Sequence, residues 1–178
     1  MRLFVALSVP EAAADTLLDL QTDLAGAAWR PYENFHITLN FIGEADRRFA
    51  EDIDAALGEV CAAPFSLRLS GCGQFGDKRP RAVWAGVAPH TEVAALQAKT
   101  AQALRLAGVQ LEARKFIPHV TLAYLKGAGA AETAHYAAAH SLYASPDFDV
   151  AAFHLYQSMT SDGLNRYEIL SSHPLSMR

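Results

Sequence analysis

The sequence predicts an α+β fold: a duplicated unit with two lobes about a pseudo-two-fold axis, mainly antiparallel sheets, helices outside and a central cleft. Three observations predict it. First, the stretch His36-Ile37-Thr38-Leu39-Asn40-Phe41-Ile42-Gly43 is echoed by His119-Val120-Thr121-Leu122-Ala123-Tyr124-Leu125-Lys126-Gly127. Second, the copies lie 119 − 36 = 83 residues apart, and the same offset relates Phe65 to Phe148 and Trp84 to Tyr167. Third, short alternating runs that pair as hairpins are interleaved with a few segments of helical spacing, the pattern of antiparallel α+β proteins. Two copies make a duplication and not a solenoid. Like modules pack about a two-fold axis, which sets His36-Thr38 opposite His119-Thr121 across one groove. One domain spanning residues 1–178 is expected.

The elements follow in order. Arg2 to Val9 is an apolar first strand, and Pro10-Glu11 opens a helix that the Leu17, Leu20, Leu24 stripe carries to about Leu24, with Gly26 as its stop. Trp29 to Pro31 is extended, and Pro31 to Asn34 turns into the first motif strand, Phe35 to Ile42. Phe49, Ile53, Leu57 and Val60 define a second helix over 46–61. Phe65, Leu67 and Leu69 alternate as a strand that Gly71 and Gly73 close or bend, and a turn over 76–80 returns the chain through Arg81 to Val87. Thr91 reads as the N-cap of a third helix that Gly108 ends. The second motif strand covers Val120 to Leu125, and a short helix covers 132–140. Phe148 to Gln157 and Arg166 to Ser171 are the last strands, joined through the turn signal Ser161-Asp162-Gly163.

Composition narrows the function. A chain of 178 residues, 51% hydrophobic and 19% charged, has the makings of a packed core and is unlike a disordered protein. A net charge of −4 excludes a strong sequence-blind grip on long nucleic acid but leaves room for a local patch that meets a few phosphates. Cys61 and Cys72 fit neither a metal spacing nor a disulfide framework. No apolar run reaches the roughly 18 residues of a membrane span, and Pro10-Glu11 cuts Leu3 to Val9 short of a signal core. A cytoplasmic monomer with no obligate protein partner is expected.

The chemistry lies in the doubled motif. Strict alternation gives each strand a front with His and Thr and a back with Ile37, Leu39 and Phe41, or Val120, Leu122 and Tyr124. Histidine exchanges protons near neutral pH, so two imidazoles across a cleft serve as acid and base on opposite sides of one reacting atom. Hydroxyls of Thr38 and Thr121 then hold the oxygens between them, which suits a tetrahedral phosphate, and above all a strained cyclic one. The residues alone do not say which histidine donates. No carboxylate stands at ligand spacing beside either histidine, so neither metal nor cofactor is expected. His90, His135, His140 and His173 read as surface or terminal residues, and His154 can face core or cleft. Phe65, Trp84, Phe148 and Tyr167 read as core. Lys78, Arg79 and Arg81, with Arg114 and Lys115, matter only if they rim the groove.

The paired motifs resemble the two-histidine phosphoesterase superfamily, and within it the RNA 2′,3′-cyclic phosphodiesterases, also called bacterial 2′-5′ RNA ligases. Arg2 to Leu7, Arg30-Pro31 and Arg79 to Gly86 are similar to that family as well. The resemblance implies a bilobal fold with both motifs in the cleft. It implies metal-independent hydrolysis of a 2′,3′-cyclic phosphate on RNA ends or small cyclic nucleotides, leaving a 2′-phosphate, with 2′-5′ joining as the reverse type of reaction. It casts His36 as proton donor, His119 as proton acceptor, and Thr38 and Thr121 as phosphate holders. Tyr124 and Ile117 depart from the family by standing where many relatives carry Arg, and alternation turns Tyr124 away from His119. Two rivals are a phosphoesterase acting on another cyclic nucleotide or a 2′-5′ oligonucleotide, and a nucleotide- or RNA-binding module without turnover.

Overall fold

The structure, a computed structural model, describes residues 1–161 and 164–177; Asp162 and Gly163 of the expected turn lie outside the described residues. The chain runs β1 (Arg2–Ser8), α1 (Glu11–Leu18), β2 (Ala27–Trp29), a 3₁₀ turn (Tyr32–Asn34), β3 (His36–Glu44), α2 (Arg47–Gly58), β4 (Phe65–Phe75) and β5 (Ala82–Ala88). It continues through α3 (Thr91–Leu106), β6 (His119–Leu125), α4 (Ala130–Ala139), β7 (Phe148–Val150), β8 (Ala152–Ser161) and β9 (Leu164–Pro174). The strands form two antiparallel sheets, one ordered β3-β1-β8-β9 and the other β2-β6-β5-β4-β7.

The lobes are not the two halves of the sequence. The first motif strand, β3, shares a sheet with the β8–β9 hairpin of the second half, whereas β6 shares one with the β4–β5 hairpin of the first. The helices cross over too. The α3 helix of the second half packs behind β3, where Asn40 Nδ2 donates to Thr100 Oγ1 at 2.8 Å and Gln97 Nε2 donates to Asn40 Oδ1 at 3.0 Å. Each of α1 and α4 bonds the segment that follows the other: the Thr16 hydroxyl of α1 meets the Tyr143 hydroxyl beyond α4 at 2.8 Å, and Tyr136 of α4 donates to the Leu20 carbonyl beyond α1 at 2.7 Å. One apolar core therefore runs through both lobes, from Val5 and Ile37 to Leu122 and Phe153. Side by side, β3 and β6 bridge the lobes.

Several expected elements differ in extent. The first helix stops at Leu18, not Leu24, because Asp19 and Asp23 place negative charge at its carbonyl end, where the helix dipole repels it. Gly26 serves a different purpose: with φ 76° it lets Lys126 N–H reach its carbonyl at 2.9 Å, and a Cβ there would lie 2.3 Å from the Lys126 carbonyl oxygen. The third helix takes His90 and not Thr91 as its N-cap. The strand expected over 148–157 breaks at Ala151, since Phe148–Val150 pairs with β4 whereas the residues from Ala152 onward pair with β9, and those from His154 with β1 as well, in the other sheet. Gly71, at φ 66°, bends β4 without ending it.

Candidate active site

The site begins with two bulges at matched positions. On β3, Asn40 pairs with Val5 but Thr38 pairs with Ala6, so Leu39 is the extra residue. On β6, Ala123 pairs with Val83 but Thr121 pairs with Trp84, so Leu122 is the extra residue. Each bulge inserts one residue and resets which face the following side chains take. Leu39 with Asn40, and Leu122 with Ala123, all point into the core. Phe41 and Tyr124 therefore emerge on the histidine face and not, as alternation predicts, on the back. Phe41 is 53% exposed, with its ring 6.2 Å from that of Phe4, and Tyr124 is 49% exposed.

His36 and His119 are half-buried and held in the same way. His36 Nδ1 lies 2.8 Å from the Asn34 carbonyl and His119 Nδ1 2.6 Å from that of Ile117, each two residues earlier. A carbonyl oxygen only accepts, so both Nδ1 atoms carry the hydrogen and both Nε2 atoms are left for chemistry. Burial lowers the His36 pKa to about 4 against the opposing pull of the Asn34 carbonyl, and the charges of Arg30 and His119 lower it further. Burial likewise lowers that of His119, against the Ile117 carbonyl and with help from Arg114. The two imidazoles are thus close enough for the charge of one to act on the other. Thr38 and Thr121 are half-buried, and their side-chain hydroxyls make no hydrogen bond among the described residues, so they are free to donate.

Aromatic rings fix the imidazoles. His36 sits 4.9 Å from Phe4 and 4.9 Å, edge-on, from Tyr167, and Phe4 stacks on Tyr156 at 5.1 Å. His119 sits 4.8 Å, edge-on, from Phe75 and 5.9 Å from Trp84. Of the four aromatic residues expected in the core, Phe65 and Phe148 pack there, whereas Trp84 and Tyr167 flank the histidines. The Trp84 indole lies flat over Gly73, where a Cβ would come within 2.3 Å of its ring. Gly73→Ala is therefore expected to push the ring aside and cost about 1–3 kcal/mol of stability. Trp84→Ala in the same chain should remove most of that added cost, which a double-mutant cycle in urea would read.

The remaining candidates separate cleanly. His154 shares the groove side of its strand with Tyr156, 6.0 Å away, and bonds Ser172 Oγ through Nδ1 at 2.8 Å. His173, Asp54 and Ser171 have the composition of a hydrolase triad but not its wiring: His173 Nε2 alone contacts both Asp54 Oδ1, at 3.1 Å, and Ser171 Oγ, at 3.2 Å, while Ser171 donates to Asp54. This cluster ties β9 to α2. Of the basic residues, Arg114 reaches the groove, and Arg30, noted in the sequence only as part of the Arg30-Pro31 resemblance, reaches it as well. Cys61 and Cys72 are free thiols, and burial pushes the Cys72 thiol up to about 11. Among the described residues no group of three or more His, Cys, Asp or Glu is gathered to hold a metal, and no helix is long and apolar enough to cross a membrane.

Two exchanged lobes, with a His-x-Thr strand from each sheet meeting in one groove, define the fold of the two-histidine phosphoesterases. A family model described as the 2′-5′ RNA ligase superfamily matches residues 8–162, and the chain belongs to that superfamily. It is 32% identical over 160 residues to the RNA 2′,3′-cyclic phosphodiesterase of Geobacillus stearothermophilus, covering 88% of this chain and half the length of that relative. It is 31% identical over 164 residues to the protein of that name from Archaeoglobus fulgidus, covering 89% of this chain and 92% of that one. The crystal structure of E. coli LigT complexed with 3′-AMP superposes with a TM-score of 0.81 at 26% identity, covering 99% of this chain and 98% of that one.

Proposed function

We propose that this chain is an RNA 2′,3′-cyclic phosphodiesterase that opens a terminal cyclic phosphate to a 2′-phosphate, and that residues 1–178 act as one unit. The observation that carries the reading is the matched pair of imidazoles. Each is locked through Nδ1 to the carbonyl two residues before it, with Nε2 free and a free threonine hydroxyl two residues on. His119 Nε2 takes a proton from water as the water oxygen bonds to phosphorus. The bond from phosphorus to the 3′-oxygen breaks, and His36 Nε2–H protonates that oxygen. Thr38 and Thr121 donate to the non-bridging oxygens, where charge builds in the transition state. The cycle closes when His119 releases to solvent the proton it gained and His36 takes one up. In this scheme the names of the relatives and the superfamily match agree with what the side chains can do.

RNA ends and small 2′,3′-cyclic nucleotides are the proposed substrates, with a cytoplasmic monomer as the acting form and no metal or other cofactor in the reaction. The direct test is turnover of 2′,3′-cyclic AMP and of an RNA ending in a cyclic phosphate, with the position of the product phosphate identified. A 2′-phosphate formed at full rate in excess chelator is the expected result. Loss of activity in chelator that zinc restores, or a 3′-phosphate product, would count against the two-histidine scheme.

A further inference from the structure

Phe41 and Tyr124 are the two large aromatic side chains that the bulges turn outward beside the histidines, and 124 − 41 is again 83. Each is covered by an arginine from the opposite half of the repeat. The Arg30 guanidinium, just before the first motif, lies 5.3 Å over the Tyr124 ring of the second motif strand. The Arg114 guanidinium, just before the second motif, lies 5.3 Å over the Phe41 ring of the first. The crossing has a backbone cause on one side: Ala27–Trp29 pairs with β6, and Arg30 N–H donates to the Leu122 carbonyl at 2.8 Å. Both arginines face the reacting groups as well, since Arg30 acts on the charge of His36 and Arg114 on that of His119. Arg30 also donates to the Tyr167 hydroxyl at 3.4 Å.

A half-exposed ring beside a catalytic groove is an ordinary surface feature when it occurs once. Here it occurs twice, at equivalent positions, each time with a guanidinium over it. The Leu39 and Leu122 bulges give up regular pairing to bring it there. Single-stranded RNA is read by stacking its bases on aromatic rings and guanidinium planes, and a planar cation next to a planar ring offers both surfaces together with a phosphate contact. We propose that the Arg30–Tyr124 and Arg114–Phe41 pairs are two nucleobase-stacking positions on either side of the histidine groove, so that the site takes the last two nucleotides of an RNA end. One pair holds the base of the nucleotide bearing the cyclic phosphate, and the other holds its 5′ neighbour. The inference builds on the phosphodiesterase reading and adds a minimum substrate length to it. It also gives the uncharged Tyr124 a use, with Arg30 supplying the positive charge on that side of the cleft.

The test compares kcat/KM for a dinucleotide ending in a 2′,3′-cyclic phosphate with that for the cyclic mononucleotide, in the full chain. The aromatic residues are varied because changing either arginine would also alter the field at a histidine. In the unaltered protein the dinucleotide is favoured by about tenfold to a hundredfold, the worth of one base stack. In the Phe41→Ala, Tyr124→Ala double variant that ratio falls towards one, while Phe41→Tyr with Tyr124→Phe, which keeps both rings, retains it. A ratio near one in the unaltered protein, or one that the double alanine variant leaves in place, overturns the proposal. Thermal unfolding of each variant checks that the fold is kept. Equilibrium binding of the 2′-phosphorylated mono- and dinucleotides reads the same ratio without turnover. If neither cyclic substrate is hydrolysed but the binding ratio and its loss persist, the phosphodiesterase reading fails and the stacking positions stand.

Discussion

His36→Ala and His119→Ala are each expected to lower kcat by about 10² to 10⁴-fold, the usual contribution of one positioned acid or base. The double variant is expected to be little worse than the poorer single one. The two groups move protons within one displacement, so removing either leaves the other without a complementary step, and such effects do not add. KM should change far less, because the threonine hydroxyls proposed to hold the phosphate are not altered. His36→Gln and His119→Gln, which keep a polar group of similar reach, should be nearly as inactive, which separates proton transfer from simple hydrogen bonding. Thermal unfolding should change little at pH 7, where neither imidazole carries the charge that burial opposes. An alanine variant at either position that kept a tenth of the parent turnover, with its fold intact, would remove that histidine from the proposed acid–base pair.

Much of this site was legible because the sequence repeats. The offset of 83 marked out His36, His119, Thr38 and Thr121 and led to one groove shared by β3 and β6. What alternation could not show was the pair of bulges. A period of two assumes an unbroken ladder, and at Leu39 and Leu122 the ladder gains a residue. The physical trace was present in Asn40, a polar residue in an apolar strand, which turns inward to meet Thr100 and Gln97 on α3. That contact joins residues 60 apart in sequence, so no local pattern reports it. The same offset, carried three residues past each threonine and so across the bulge, would have paired Phe41 with Tyr124. Sheet exchange escaped for a related reason: local pattern says that Phe148 and Leu155 lie in strands, but not that Ala151 hands the chain from one sheet to the other. Trp84 and Tyr167 were placed in the core on burial preference, which averages over sites. Each is half-buried because one side of its ring faces a histidine and not solvent.

The lowered histidine pKa values give an expected pH dependence with a definite sign. An acid–base pair needs one imidazole protonated and the other neutral, so kcat/KM follows a bell between the two free-enzyme ionisations. Burial places one of these at about 4 and the other below 6.5, so the optimum for kcat/KM is expected on the acid side of pH 6.5, with a tenfold loss per pH unit on the alkaline limb. The bell is the same whichever histidine donates, so it tests the pair and not the assignment within it. An anionic phosphate in the groove offsets Arg30 and Arg114 and favours the imidazolium, so the kcat profile should extend to higher pH than that of kcat/KM. Stability follows from the same shift. The folded protein binds the His36 proton more weakly than the unfolded chain does, so the contribution is complete above pH 6.5 and is lost as pH falls through about 4. A shift from 6.5 to about 4 corresponds to at most about 3 kcal/mol. Thermal midpoints measured from pH 7 to pH 4 should therefore fall more steeply for the parent chain than for His36→Gln. Equal slopes would mean that the acid sensitivity arises elsewhere, with the half-buried His173 and its Asp54 partner the next groups to vary.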